Sequence, residues 1–244
     1  MRGPETDYAA WCASSRLTGR RPPGGGGGGG GGGEWAHLDS GALYRAVTLA
    51  ALDNIGEGGQ GKWEAQKIVN LGQTLPVQLV LAEGAFIPTV AGVDVEEAIR
   101  SERVTRQVSA VAALPEVRAW VNAQQRRAAQ AYPAGVVVDG RDIGTVVFPE
   151  APLKVFLTAL ADERARRRIT QRKGGGGGGV GQTPDEATLR RESEVLAARD
   201  AADASRAVAP LRPAADAVLL DTTHLSFEDQ VARIVALARE RFPG

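Results

Sequence analysis

The sequence predicts an α/β fold with a parallel sheet flanked by helices, and three observations carry that expectation. Short apolar runs alternate with helical stretches through most of the chain, the order that builds strand–helix–strand units. Val136 to Val138 run into Asp139 and Gly140, as a strand buried on both faces does when it delivers polar groups at its carboxyl end. A second apolar run, Leu153 to Thr158, follows closely. Open α/β sheets bind ligands at the carboxyl ends of their strands. Arg141 and Asp142, between Gly140 and Gly144 in backbone free to turn tightly, are therefore candidate site residues.

Residues 1–33 stand apart. Up to Pro23 they show no sustained periodicity, and Gly24 to Gly33 is an unbroken run of ten glycines, a flexible coil by composition. From Trp35 a short extended segment leads to an Asp39/Ser40 cap and a helix with Leu43, Val47 and Ala50 or Ala51 on one face. Gly56 to Gly61 is a turn-rich break, WEAQKIVNLGQ a short helix, and PVQLVLAEGAFIPTVAGVDV a small antiparallel unit of two or three strands. Two helices follow, the second opened by Pro115 in its first turn. After the central strands come a basic helix, DERARRRITQRK, and a second glycine run, Gly174 to Gly179. A helix with Thr183 and Glu186 at capping-box spacing, the strand AVLLDT and a closing amphipathic helix complete the chain. An inserted lobe is expected near residues 60–108.

At 244 residues the chain is long enough for a real core. Formal net charge is zero and aromatic content 5%, with no long run of like charge, which argues against bulk nucleic-acid binding. Only Lys62, Lys67, Lys154 and Lys173 of the 29 basic residues are lysines. GC-rich coding and forked phosphate recognition both produce such an arginine excess. A lone Cys12 excludes an internal disulfide and fits a reducing compartment. No apolar run reads as a signal peptide or membrane span, so a cytoplasmic, soluble protein is the expectation, and with no obvious apolar surface stripe a monomer is the default. His37 and His224 have no metal-ligand spacing.

Four patches have the residue types of phosphate chemistry. In LDSGALYR, Ser40 stands at a helix N-terminus, where free amides and the dipole favour an anion, and Arg45 lies little more than a turn on. A plain cap with a surface arginine reads equally well. VSAVAALPEVR offers Ser109 and Arg118 and says little alone. RDAADASRAVAPL brings Asp203 and Arg206 to one helical face beside Arg199, a surface ion pair worth under about 1 kcal/mol if nothing more. Arg164, Arg166, Arg167 and Arg168 read most simply as a solvated helix face.

In this order, LDSGALYR, SAVAALPEVR, DGRDIGTVVFPEAPLKVFLTA with DERARRR, and RDAADASRAVAPLRPAADAVLLDTT closely resemble bacterial cytidylate kinases, a family of P-loop nucleoside monophosphate kinases. The resemblance runs from about Ala36 to the C-terminus. It implies a P-loop kinase-like parallel sheet, an inserted β-containing monophosphate-binding lobe, and an arginine-rich lid over about residues 162–206. It implies transfer of the γ-phosphoryl of ATP to CMP or dCMP with Mg2+. By position, Ser40, Ser109, Arg118 and Asp142 match the family's cytidine pocket. Asp203 matches the ribose ligand, with Arg206 lining the same nucleoside site. Arg45 and Arg141 match the pair that grips the substrate phosphate, and Arg167 and Arg168 the lid arginines. The chemistry suits the types: cytosine needs mixed donors and acceptors, and a phosphate dianion needs forked cations.

One part of the pattern is missing. The family opens with a buried strand, a glycine-rich loop ending in Gly-Lys and a hydroxyl residue, and a helix; residues before Leu38 contain none of these. By spacing the glycine run occupies the helix position, where ten glycines would cost roughly 10 kcal/mol relative to alanine. Gly56 to Trp63 has the G-x-x-x-x-G-K spacing, yet Trp63 stands where the magnesium hydroxyl belongs and a helix precedes it, so a surface loop is expected. Three readings follow: a (d)CMP kinase, a CMP-binding relative without catalysis, and a normal kinase whose N-terminal sequence is corrupted.

Overall fold

Strands and helices alternate around one eight-stranded sheet in the computed structural model, which describes residues 9–14, 35–57, 63–132, 134–174, 185–206 and 209–243. The chain runs β1 (Ala9–Ser14), β2 (Ala36–Asp39), α1 (Ser40–Asn54), α2 (Ala65–Thr74), β3 (Val77–Ala82), β4 (Ala85–Val90) and β5 (Val93–Asp94). A 3₁₀ turn (Ala98–Arg100), α3 (Glu102–Ala112), α4 (Pro115–Ala131) and β6 (Val136–Gly140) follow. Then come a π-helical turn (Ile143–Val147), β7 (Leu153–Thr158), α5 (Ala161–Gly174), α6 (Glu186–Ala204), β8 (Val218–Asp221) and α7 (Phe227–Arg241).

The strand order is β3-β4-β2-β6-β1-β7-β8, with β5 paired to β4. β2 is parallel to β4 and β6, and β7 to β8, so the sheet is mixed α/β with a largely parallel centre. β3, β4 and β5 form the expected antiparallel unit, joined to the main sheet where the His37 amide donates to the Gly84 carbonyl at 2.8 Å. Val136 and Val138 are fully buried and in register with Ala36 and Leu38, also fully buried. That cross-strand apolar set carries Asp39 and Asp139, at matching positions, to the same edge.

Four expectations need correction. The first 33 residues contain a strand: β1 lies between β6 and β7, antiparallel to both, with Ala10 opposite Gly140 and Ser14 opposite Val136. A six-residue segment with only alanine, tryptophan, cysteine and serine is too short to show a period, and its pairing comes from neighbours more than a hundred residues away. α1 is buried almost all round, from Ala42 to Leu52 except Arg45, because α2, α3, α4 and β4 enclose it and its alanines allow close approach. α6 begins at Glu186 with the Asp185 carboxylate accepting from the Thr188 amide at 2.9 Å, which displaces the Thr183 box; Thr183 itself lies outside the described residues. Arg164 is 5% exposed and paired to Asp200 at 2.5 Å across α5 and α6, so the basic run is not a uniformly solvated face.

The ten-glycine run lies outside the described residues, as does the second run beyond Gly174. Of Gly56 to Trp63, residues 58–62 lie outside them; Trp63 packs against the α1 core and donates its indole N–H to the Gly56 carbonyl at 3.2 Å. Trp63 is thus spent on packing. α7 covers β7 and β8 on the other face, with Phe242 edge-on to Trp35 at 5.1 Å. Among the described residues no helix is long and apolar enough to cross a membrane.

Candidate functional site

β2 and β6 end side by side, and what leaves their carboxyl ends forms a cavity of about 350 Å3. From β2 the chain enters α1 through Asp39, whose carboxylate accepts from the Gly41 amide at 2.8 Å. This sets Ser40 at the mouth of the helix and sends Arg45 into the cavity, where its guanidinium donates to the Ile99 carbonyl (3.2 Å) and Thr105 Oγ1 (3.0 Å). From β6, Gly140 permits the closest approach in the site: a Cβ there would lie 2.1 Å from Ser40 Oγ. Asp142 follows with non-helical backbone and opens the π-helical turn.

The eight positions expected to bind substrate all line this cavity: Ser40, Arg45, Ser109, Arg118, Arg141, Asp142, Asp203 and Arg206. Arg118 and Asp142, 4% and 6% exposed, form a buried ion pair, and Arg118 also donates to the Ala112 carbonyl at 3.1 Å. Asp203, 3% exposed, pairs with Arg206 and, at 3.1 Å, with Arg141, which also reaches Asp200 at 2.5 Å. The Asp203–Arg206 contact is therefore a buried network, and not the surface pair its spacing also allowed. Ser109 stands exposed on the rim.

Arg167 and Arg168 are not in the lining. Arg167 bonds Glu163, Thr222 and the Leu225 carbonyl, tying α5 to the loop after β8. Arg168 pairs with Glu192 of α6 at 2.9 Å.

Several lining residues had no individual role in the sequence reading. Tyr44 lies beneath Arg118, ring centroid 5.6 Å from the guanidinium carbon, and donates to Asn122 at 3.2 Å. Burial pushes its phenol up to about 12. Arg199 and Arg100 also line the cavity. Burial, then the neighbouring Arg141, pulls the Arg199 guanidinium down to about 10, and its Nε has no hydrogen-bond partner among the described residues. Burial likewise lowers Arg45, with Arg100 and Arg168 adding repulsion. Arg199 thus feels both Arg141 and Arg45, a cluster of arginines in the lining partly offset by Asp203 and Asp39. The signal for Arg199 was present in its motif, one helical turn before Asp203.

The opposite pole is different. Tyr44 feels Arg118, Asp142 and Arg206, a balanced set of donors and acceptors. Asp39 is raised by burial and then by Asp139, while His37 holds Asp139 at 2.7 Å and is itself raised by that hydrogen bond. Asp39 caps α1 through the Gly41 amide, and Asp139 is hydrogen-bonded to His37. No group of three or more His, Cys, Asp or Glu suited to a metal occurs among the described residues. The segment that follows β1, where a phosphate loop would be sought, lies outside the described residues.

Known proteins match this chain over most of its length. Cytidylate kinases of Stutzerimonas stutzeri and Pseudomonas aeruginosa (strain UCBPP-PA14) are 44% and 45% identical to it over 209 and 203 residues. These matches cover 85% and 82% of this chain and the same shares of the relatives. The cytidylate kinase of Saccharophagus degradans is 43% identical over 204 residues, 84% of this chain and 85% of its own. The family model for cytidylate kinase matches residues 32–240, a span that contains the whole cavity lining and excludes β1. With a mixed α/β fold around that span, the chain belongs to the cytidylate kinase family, a family of phosphotransferases.

Proposed function

We propose that this protein is a nucleoside monophosphate kinase whose cavity is the acceptor site for CMP or dCMP, taking the γ-phosphoryl of ATP and releasing CDP or dCDP and ADP. The observation that supports this reading best is the two-poled cavity: a cation-rich side of Arg45, Arg141 and Arg199, and a mixed donor–acceptor side around Arg118 and Asp142. A phosphate dianion suits the first, and the amino and ring-nitrogen groups of cytosine suit the second. Ser40, Ser109, Arg118 and Asp142 would read the base, Asp203 would hold the ribose, and Arg206 would line the nucleoside. Arg45, Arg141 and Arg199 would grip the phosphate and hold one of its oxygens in line for attack. Positioning and charge neutralisation carry phosphoryl transfer. Arg167 and Arg168, on the proposed lid of residues 162–206, would supply positive charge on closure. Residues 34–244 form the kinase-like domain, with the insert at about 60–108, and the protein acts as a cytoplasmic monomer.

ATP and Mg2+ belong to the reaction of the family. The steps above use only the acceptor side. The direction of β1 favours a second reading, CMP binding without transfer, because an antiparallel strand in that slot does not deliver a phosphate loop to the cavity edge.

The decisive measurement compares ligands. CMP at a hundred times its Kd is expected to stabilise the chain by about 2.7 kcal/mol, and cytidine, lacking the phosphate, far less at the same concentration. Equal stabilisation by both would remove the phosphate pole. A coupled assay with ATP then separates kinase from binder: turnover supports the first reading, saturable CMP binding without turnover the second.

A further inference from the structure

The π-helical turn behind Asp142 is held from outside the cavity. A single wide turn is a weak element, and its last carbonyls have no partner within it. Here the Val147 amide reaches back to the Asp142 carbonyl at 3.3 Å and the Phe148 amide to the Ile143 carbonyl at 2.7 Å. The carbonyls of Val146 and Val147, left over by this pattern, both point to one guanidinium: Arg126 donates from Nη2 to Val146 at 2.7 Å and from Nε to Val147 at 2.8 Å. Both bonds are charge-assisted and come from one planar fork, so they fix orientation as well as distance.

Arg126 lies on α4, and so does Arg118, two helical turns earlier. Arg118 grips the Asp142 side chain at the front of the turn, and Arg126 grips the backbone at its end. Between them Asn122 accepts from Tyr44 and Gln125 donates to the Ser40 carbonyl at 3.0 Å. Positions 118, 122, 125 and 126 share one face of α4. That face therefore spaces both walls of the cavity from behind, α1 through Gln125 and the turn through Arg126. Arg126 itself does not line the cavity; it borders a separate groove of about 410 Å3 with Tyr132, Phe148 and Pro149.

We propose that Arg126 is a positioning residue for base recognition, acting through the Val146 and Val147 carbonyls to hold Asp142 at the angle cytosine requires. This rests on the reading that the cavity binds CMP with Asp142 on the base. Because the groove is open, water can solvate the two carbonyls when the guanidinium is removed, so the fold survives while the turn gains freedom. The effect should fall on selectivity more than on stability.

The test measures Kd for CMP and for UMP by calorimetry, with the thermal midpoint, in the full chain and in Arg126→Ala and Arg126→Lys. Arg126→Ala is expected to weaken CMP by about tenfold and UMP much less, narrowing the preference between them, with Arg126→Lys between the two. Millimolar guanidinium should restore part of the CMP affinity of Arg126→Ala and leave the parent unchanged. A CMP affinity within about twofold of the parent overturns the proposal. So does an equal loss for both nucleotides accompanied by a lower midpoint, which would mark Arg126 as a structural residue only. Should the parent chain bind no CMP, the functional reading and this inference fall together; selective binding by the parent with an indifferent Arg126→Ala removes this inference alone.

Discussion

Arg118 and Asp142 show what burial does to a pair of residues that look unremarkable apart. Each is almost fully enclosed, so removing one leaves the other charged, desolvated and without its partner. Arg118→Ala is expected to lose about 3 kcal/mol in chemical denaturation, and Arg118→Met with Asp142→Leu less than that single change. His37 carries a gentler dependence. Its hydrogen bond to Asp139 raises its pKa above the ordinary 6.5, so the folded chain binds that proton more tightly than the unfolded one. The contribution is fully present below pH 6.5 and is lost as pH rises through the folded value. His37→Gln should therefore lower stability at pH 6 by under about 1 kcal/mol, the pair being half exposed, and have little effect at pH 8.5. Eight of the lining residues were legible because hydroxyl, guanidinium and carboxylate groups recur beside glycine turns in the order of the resembled family. Arg164 was not, because a run of arginines does not reveal which one turns inward, and its partner Asp200 belongs to another helix.

At the level of elements, helices and strands with their own caps and periods were readable, and those whose form depends on neighbours were not. Asp39 and Pro115 each mark a helix start by local chemistry, and helices begin beside each. The all-round burial of α1 depends on three other helices, which no single face of its sequence declares. The meeting of β6 and α1 gives a sharp test. Gly140→Ala would place a methyl against Ser40 Oγ and 2.8 Å from the Ile143 side chain, so overpacking should cost about 1–3 kcal/mol in denaturation and weaken CMP binding as well. Gly56→Ala is a useful contrast: nothing among the described residues stands within 4 Å of its added carbon, and its positive φ of 93° carries the penalty there.

For the molecule as a whole, the cavity and the family match coincide, and the segment outside both is the one whose strand runs the opposite way. That direction also determines how far the chain must travel next. β1 leaves the sheet at Ser14 and β2 enters it at Ala36, and both of these residues sit opposite Val136, on the two flanks of β6. The gap is two strand spacings, about 10 Å, at one edge. A strand of the other polarity would have ended at the far edge and required a crossover along the whole sheet. Twenty-one residues, 15 to 35, join points that a short link could join. Deleting Gly27 to Gly33 is therefore expected to change stability by only about 0.4 kcal/mol, the closure-entropy difference between the two lengths, as read by thermal and urea unfolding. A collapse of the fold on that deletion would mean that the connection spans the sheet. The reversed strand thus predicts that the length of the connection between β1 and β2 matters little to the fold.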